Sequence, residues 1–332
     1  MTENLSGSAS EPAAIFNGYV AAHVAFALHE LGVWNRLATG PSSAADLASD
    51  RGIDTTRLSA LLQSAVLLGY VNLRDGVASL TPAGRELADN IGFFRWAVGG
   101  YGHLLRSLAA LTAGRAQWGI DVQRDEACIA VGAAEVGRAH MSAVEADVVA
   151  GLDYDSVADL GCGDGSRLIR LCQAERPIRG LGIDISKSAC ALARGRVAEV
   201  GLADQVDISC QNIFHAGSKA VFPDIDLVLS FLMLHDLFSA VSNGTEVIEI
   251  LRSTFPNARY FLLADTAAQP WHLHSGALPI FSLQFELVHT FMGTTIYQKE
   301  TYERAFVDGG LRILRREPLG VPSTWLYLLS TQ

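Results

Sequence analysis

Asp159-Leu160-Gly161-Cys162-Gly163-Asp164-Gly165-Ser166 decides how this chain folds. The stretch follows a short β-prone run, 156–160, and opens a run with helical spacing, 166–174. Glycines at a strand-to-helix junction let the backbone turn tightly and let a ligand approach the main chain. The spacing is GxGxG. A dinucleotide fingerprint would need its third glycine at position 166, where Ser166 stands, so a pyrophosphate cradle is disfavoured. Beyond this point short apolar runs at 178–183, 206–210, 225–231 and 260–264 alternate with helical runs at 187–200 and 245–255. That alternation predicts an α/β, doubly wound, Rossmann-like domain with a mainly parallel sheet over 151–332. A late helix at 300–308 precedes two β-prone runs, about 311–317 and 325–329, expected to form an antiparallel hairpin at the sheet edge.

Ligands of open α/β sheets bind at the carboxyl ends of the strands, and the residues there have nucleoside chemistry. Asp184 ends the second strand, where a carboxylate can accept hydrogen bonds from both ribose hydroxyls. Asn212 follows the third strand; its side-chain amide can read an adenine edge, with Ile213 or Phe214 against the ring. Asp159, Gly161, Cys162 and Gly163 of the loop, Ile185 beside the acid, and Ser230 in the fourth strand complete the candidate set. The competing reading is a tight turn with ordinary capping residues.

Upstream, the chain changes character. Residues 1–13 are polar and lack a basic and apolar leader pattern, which predicts a disordered tail and a cytoplasmic protein. Residues 14–90 read as helices with one hairpin. Asp54 caps a helix at 56–68, Asp75-Gly76 turns between runs at 70–74 and 77–81, and Pro82 opens another helix. The pattern is that of a winged helix. Its recognition helix would offer only Arg57 as a cation, and the net charge is −10, so phosphate backbones are poor partners and a homodimerisation domain is expected instead. Residues 91–150 are expected to form a helical connector and pocket lid, with Phe93, Trp96 and Trp118 as aromatic candidates and Phe291 as another downstream. The longest strongly apolar run, 225–234, contains Asp226 and is half a membrane span, so no membrane partner is expected. Five cysteines without CxxC spacing suggest reduced core thiols.

The motif at 159–165 and the acid Asp184 make this half of the chain resemble the class I S-adenosylmethionine (SAM) dependent methyltransferases. The resemblance implies that Gly161 and Gly163 border the methionine part of SAM, that Asp184 binds its ribose and that Asn212 lies by its adenine. A winged-helix dimerisation domain ahead of a SAM domain is similar to small-molecule O-methyltransferases of secondary metabolism. In that family a His-Asp pair after the fourth strand supplies a general base, which here gives His235 in Phe231-Leu232-Met233-Leu234-His235-Asp236-Leu237-Phe238. The family's Trp and further acids after the pair are replaced by Leu237-Phe238-Ser239. Its Gly-Gly-x-Glu-Arg-Thr stretch, whose glutamate orients the histidine, corresponds to Met292-Gly293-Thr294-Thr295-Ile296-Tyr297, which has no acid.

His289 stands just before that stretch. His235, Asp236 and His289 together are similar to the set in 2-oxo acid C-methyltransferases, a branch in which two histidines hold a metal and the aspartate shares the site. The resemblance implies methylation of the β carbon of a 2-oxo acid through a metal-chelated enolate, on the way to a β-methyl amino acid or secondary metabolite. The metal is expected to be non-haem iron, with zinc or another divalent ion as alternatives. Arg124, in Val122-Gln123-Arg124-Asp125-Glu126, resembles an Arg-Asp stretch of the same branch and suits a bidentate contact to the substrate carboxylate. Arg95, Arg106 and Arg115 are rivals for it. The alternative is a metal-free O-methyltransferase with His235 as base. His272 and His274 have HxH spacing, read as a solvated loop.

Overall fold

The computed structural model describes residues 11–49, 52–173, 177–215, 218–241, 243–269 and 278–331. The chain divides into two compact units, one ending at Gly102 and the other starting at His103.

The first unit runs α1 (Pro12–Glu30), α2 (Val33–Thr39), β1 (Ser42–Ser43), α3 (Ala44–Ser49), α4 (Thr55–Leu67), β2 (Val71–Arg74), β3 (Val77–Leu80), α5 (Pro82–Asp89), α6 (Ile91–Phe94) and a π-helical turn, Arg95–Gly100. The first helix thus starts inside the stretch read as a tail. Local chemistry accounts for most boundaries. Asp54 Oδ1 accepts the Arg57 N–H at 2.9 Å, and Thr81 Oγ1 accepts the Gly84 N–H at 2.9 Å with Pro82 as the first helical residue. Asp75 and Gly76 take φ of 50° and 78°, the turn that a tight hairpin needs, and β1 adds a third strand in the order β1-β3-β2. Leu28, Trp34, Leu58, Leu62 and Ala65 form the centre of this unit's core. Ile15, Phe16 and Tyr19 on α1 remain 63, 69 and 61% exposed.

The second unit opens with α7 (Gly102–Thr112), α8 (Glu126–His140) and α9 (Ser142–Ala150). The helical run expected through this region breaks over 113–125, where Gly114 and Gly119 take left-handed backbone. Strand and helix then alternate: β4 (Ser156–Leu160), α10 (Ser166–Cys172), β5 (Arg179–Asp184), α11 (Lys187–Glu199), β6 (Val206–Cys210), β7 (Leu227–Phe231), α12 (Leu234–Ala240), α13 (Gly244–Thr254), β8 (Tyr260–Thr266), α14 (Ser282–Met292), α15 (Lys299–Asp308), β9 (Arg312–Pro318) and β10 (Thr324–Ser330). Among the described residues the sheet has seven strands in the order β6-β5-β4-β7-β8-β10-β9. β4 to β8 are parallel; the closing hairpin is antiparallel, and β10, the last strand in sequence, lies inside β9.

Every residue of β4 and β7 is buried, as expected for central strands covered on both faces. β7 begins two residues later than expected because Asp226 is used as a clamp: its Oδ2 accepts from the N–H of Asp155 and Ser156 and from Ser156 Oγ. The reversal of strand order beside β4 leaves the carboxyl ends of β4, β5, β7 and β8 around one crevice, the usual ligand position in this architecture. Among the described residues no helix is long and apolar enough to cross a membrane.

Candidate active site

The donor side is built from the loops after β4, β5 and β6. Gly161, Gly163 and Gly165 have φ of 66°, 57° and 76°, and a Cβ added at Gly161 would lie 2.6 Å from Met233 Sδ. At Gly161 a side chain is therefore disfavoured by backbone conformation and would also press on the Met233 thioether. The loop is tied to the next strand, with the N–H groups of Gly161 and Cys162 donating to the Ile183 carbonyl. Asp184 is held by two main-chain donors: Oδ2 accepts from the Gly163 N–H at 3.0 Å and Oδ1 from the Ser186 N–H at 2.8 Å. Ile185 beside it is 68% exposed.

Asn212 is exposed, and its Oδ1 accepts the Phe214 N–H at 2.9 Å, which leaves the amide NH2 end to meet a base. Ile213 is buried in the core of the sheet, so of the two apolar neighbours Phe214 presents the surface for a ring. Cys162 is buried, and burial pushes its thiol far above the ordinary range, an inert packing thiol rather than a nucleophile.

Beneath the loop, Asp159 is 0% exposed and neither of its carboxylate oxygens has a hydrogen-bond partner, and the same is true of Ser230 Oγ on the adjacent strand. Burial pushes the Asp159 carboxyl up to about 6, opposed chiefly by Arg167, whose Nη1 lies 3.5 Å away. Unused acceptors beside a glycine-rich loop fit a ligand that brings an ammonium group and a nucleoside, as SAM does.

The acceptor side is built from β7, β8 and α14. Leu232 takes φ of 56° and turns the chain sharply out of β7, setting His235 in the first turn of α12. His235 is 2% exposed. Its Nδ1 lies 2.8 Å and 3.0 Å from the two oxygens of Asp265, which also accepts the backbone N–H of His235 at 2.8 Å. His289, equally buried on α14, has Nδ1 at 2.6 Å from the Phe285 carbonyl. A carbonyl only accepts, so Nδ1 of His289 donates and its lone pair sits on Nε2; a neutral His235 facing a carboxylate is arranged the same way. The two rings stand edge-on with centroids 4.6 Å apart. Asp236 Oδ2 lies 3.9 Å from His235 Nε2, and Thr294 donates to Asp236 Oδ1. Ligand atoms of His235, Asp236 and His289 all fall within 4.8 Å of one another.

Electrostatics separate the two histidines. Burial pushes His235 down, but the charge and hydrogen bond of Asp265, aided by Asp236, outweigh it, and the pKa lies above the ordinary value. Burial and the neighbouring His235 push His289 down to about 4, which leaves its ring neutral at pH 7. Arg124, half-buried just ahead of α8, carries a charge that is felt at His235. The structure therefore brings His235, Asp236, His289 and Arg124 into one region. Phe93 and Trp96 are buried in the first unit, ring centroids 5.9 Å apart, and His272 and His274 lie outside the described residues.

Asp265 is the functional residue that sequence reasoning missed. An acid was sought at 292–297, beside the late helix, whereas the partner of His235 stands one residue beyond the expected end of the fifth strand. The signal was available: an acid at the carboxyl end of an apolar parallel strand is the pattern that marked Asp184.

Residues 158–261 match the family model of a methyltransferase domain. Nearly the whole chain is similar to the indolepyruvate C-methyltransferase of Streptomyces griseus, at 27% identity over 96% of this chain and 94% of that one. It is also similar to the 2-ketoarginine methyltransferase of Streptomyces arginensis, at 22% identity over 90% and 87%. Among solved structures, the mitomycin 7-O-methyltransferase shares the fold with a TM-score of 0.59, at 19% identity over 95% of each chain. The chain is a SAM-dependent methyltransferase. Its likeness to C-methyltransferases, met first in the His235, Asp236 and His289 set, extends over almost its full length.

Proposed function

We propose that this enzyme moves the methyl group of SAM to the β carbon of a 2-oxo acid, toward a β-methyl amino acid or related secondary metabolite, with a divalent metal at His235, Asp236 and His289. The observation that carries this reading is a pair of buried imidazoles, each with Nδ1 against an acceptor so that the neutral ring presents its lone pair at Nε2, beside a carboxylate. A general base needs one such imidazole. Two with fixed tautomers and outer-shell acceptors are a metal-ligand arrangement. The relatives that act on indolepyruvate and 2-ketoarginine, both 2-oxo acids, support the substrate class.

The donor set of two nitrogens and one carboxylate with open positions suits non-haem ferrous iron, with zinc or another divalent ion as alternatives. An ion held there supplies Lewis acidity to the carboxylate and keto oxygens of a chelating 2-oxo acid. The chain's own residues do the rest. Asp265 fixes the His235 ring and keeps its lone pair outward. Thr294 holds one oxygen of Asp236 and leaves the other turned to His235. Arg124 offers a planar fork to the substrate carboxylate. Asp184, Asn212 and the Gly161–Gly163 backbone hold the donor.

A second reading, metal-free O-methylation, rests on the Asp265–His235 pair, which raises the basicity of His235 and would let Nε2 take a hydroxyl proton. Turnover of a panel of 2-oxo acids with SAM labelled at its methyl carbon separates the two. The expected product carries the label on the carbon next to the keto group. Label found only on oxygen refutes the C-methyl reading.

The first unit is proposed to be a winged-helix dimerisation domain. Its exposed α1 face of Ile15, Phe16 and Tyr19 suits a second copy of the chain. Light scattering at micromolar concentration is expected to give a dimer, and a monomer mass counts against this.

A further inference from the structure

Arg167, in the first turn of α10, is held from three sides. Its guanidinium carbon lies 3.7 Å from the centre of the Phe231 ring. Nη1 is 3.5 Å from Asp159 Oδ1, and Nε donates to Glu145 Oε2 at 3.3 Å. Glu145, on α9, is 2% exposed and accepts a second hydrogen bond from Arg170 Nη2 at 2.7 Å. A chain of alternating charges thus runs Arg170, Glu145, Arg167, Asp159, from a helix surface to the floor of the glycine loop.

The placement matters because β4 and β7 are neighbours in the sheet. Asp159 stands near the end of β4, which carries the donor loop, and Phe231 ends β7, which carries the turn to His235. One guanidinium covers both ends. It is a poor hydrogen-bond donor to Asp159 at that separation, so it neutralises the carboxylate without occupying its acceptor capacity. Besides Arg167, the charged groups acting on Asp159 are Arg170 on the same helix, Glu145 on α9 and Asp184 at the end of β5. The two carboxylates favour protonation of Asp159, and burial favours it more. Arg167 is the larger of the two cationic effects that keep it charged.

We propose that Arg167, braced by Glu145 and Phe231, is a positioning residue that keeps Asp159 ionised and turned toward the ammonium end of the methyl donor. This rests on the reading of Asp159 as part of the SAM site. The donor brings a positive charge, so only the ionised carboxylate attracts it. Affinity for SAM then rises with pH through the titration of Asp159 and stops rising above it, until the donor's own amino group loses its proton at about pH 8. Without Arg167 the same rise must occur at higher pH.

The test is calorimetric SAM affinity from pH 5 to pH 8 on the full-length enzyme. Wild type is expected to gain up to about tenfold per pH unit below the midpoint and little above it. Arg167→Met should move that midpoint up by about one unit, the effect of losing a close opposite charge, and lose roughly tenfold in affinity at pH 5 but only about twofold at pH 7. The loss should be nearly gone at pH 8, which damage to the fold would not allow. Arg167→Gln gives the same shift should the Met variant not fold, and Arg167→Lys keeps the midpoint near wild type. Asp159→Asn should bind weakly and without the pH-dependent rise. If Asp159→Asn binds as wild type does, the donor-site reading of Asp159 falls and the proposal with it. If Asp159→Asn weakens binding while the Met and Gln variants keep the wild-type midpoint, the proposal alone is overturned.

Discussion

Replacing Asp265 with Asn tests the acceptor site through a residue that touches neither substrate nor metal. The two oxygens of Asp265 serve three N–H donors: the backbone and Nδ1 of His235, and the backbone of Thr266 at 2.7 Å. Asn offers one oxygen and one NH2 group. Whichever oxygen is replaced, an amide donor then faces a backbone N–H, because Oδ2 meets His235 and Oδ1 meets Thr266. Leaving such a buried donor unmade costs about 1–3 kcal/mol. The least costly relief is for His235 to accept from the new NH2 at Nδ1 and move its proton to Nε2, which removes the lone pair from the metal position. Losing an outer-shell partner of this kind typically weakens metal binding by about 10–100-fold, or about 1.4–2.7 kcal/mol. The assay is calorimetric titration of metal-stripped protein with ferrous ion under anaerobic conditions, alongside a SAM titration that should stay within about twofold because Asp184 and the glycine loop are untouched. Metal affinity within twofold of wild type, in a background where His235→Ala abolishes it, would refute the reasoning.

Four further outcomes follow from the same geometry. Asp184→Ala should lose about 1.5–3 kcal/mol of SAM affinity, the range for hydrogen bonds to a charged group; a calorimetric value within twofold of wild type would remove Asp184 from the donor site. His289→Ala should lose most bound metal and methyl transfer while still binding SAM, whereas a general-base mechanism would leave it mildly impaired; elemental analysis and product mass spectrometry decide. Because Asp265 holds the His235 pKa above the ordinary 6.5, metal capture near pH 7 should displace a proton, and affinity should climb as pH rises through the folded-state value. Titrations in buffers of different ionisation heat measure that proton. In metal-free protein the same shift means that the His235–Asp265 pair contributes stability fully below pH 6.5 and loses it as pH rises past the folded-state pKa.

The parts of this molecule that could be read from sequence are those whose chemistry is local. Three glycines with positive φ at a strand end, an Asp-Gly hairpin and Asp54 capping α4 each state their own conformation. Asp184 was legible because a strand end fixes where a carboxylate points. His235 and His289 are different: they stand 54 positions apart (289 − 235), and only the packing of α14 against α12, with Phe285 also against the His235 ring, sets the two imidazoles 4.6 Å from each other. A resemblance could pair them; periodicity could not. The Arg170–Glu145–Arg167–Asp159 chain was invisible for the same reason, since ion pairs between α9, α10 and β4 arise from tertiary packing alone. The break at 113–125 escaped notice because the apolar spacing on either side is helical and the glycines within it are compatible with either state.

The chemistry proposed for this enzyme requires the buried histidine pair to work through a metal. Its most direct test is the initial rate of methyl transfer to a 2-oxo acid by enzyme dialysed against a strong chelator and verified as metal-free by elemental analysis. The predicted result is no turnover until ferrous ion or another divalent ion is restored, with SAM affinity unchanged throughout. Turnover at the full rate by verified metal-free enzyme would contradict it, and would return His235, held by Asp265, to the role of a general base.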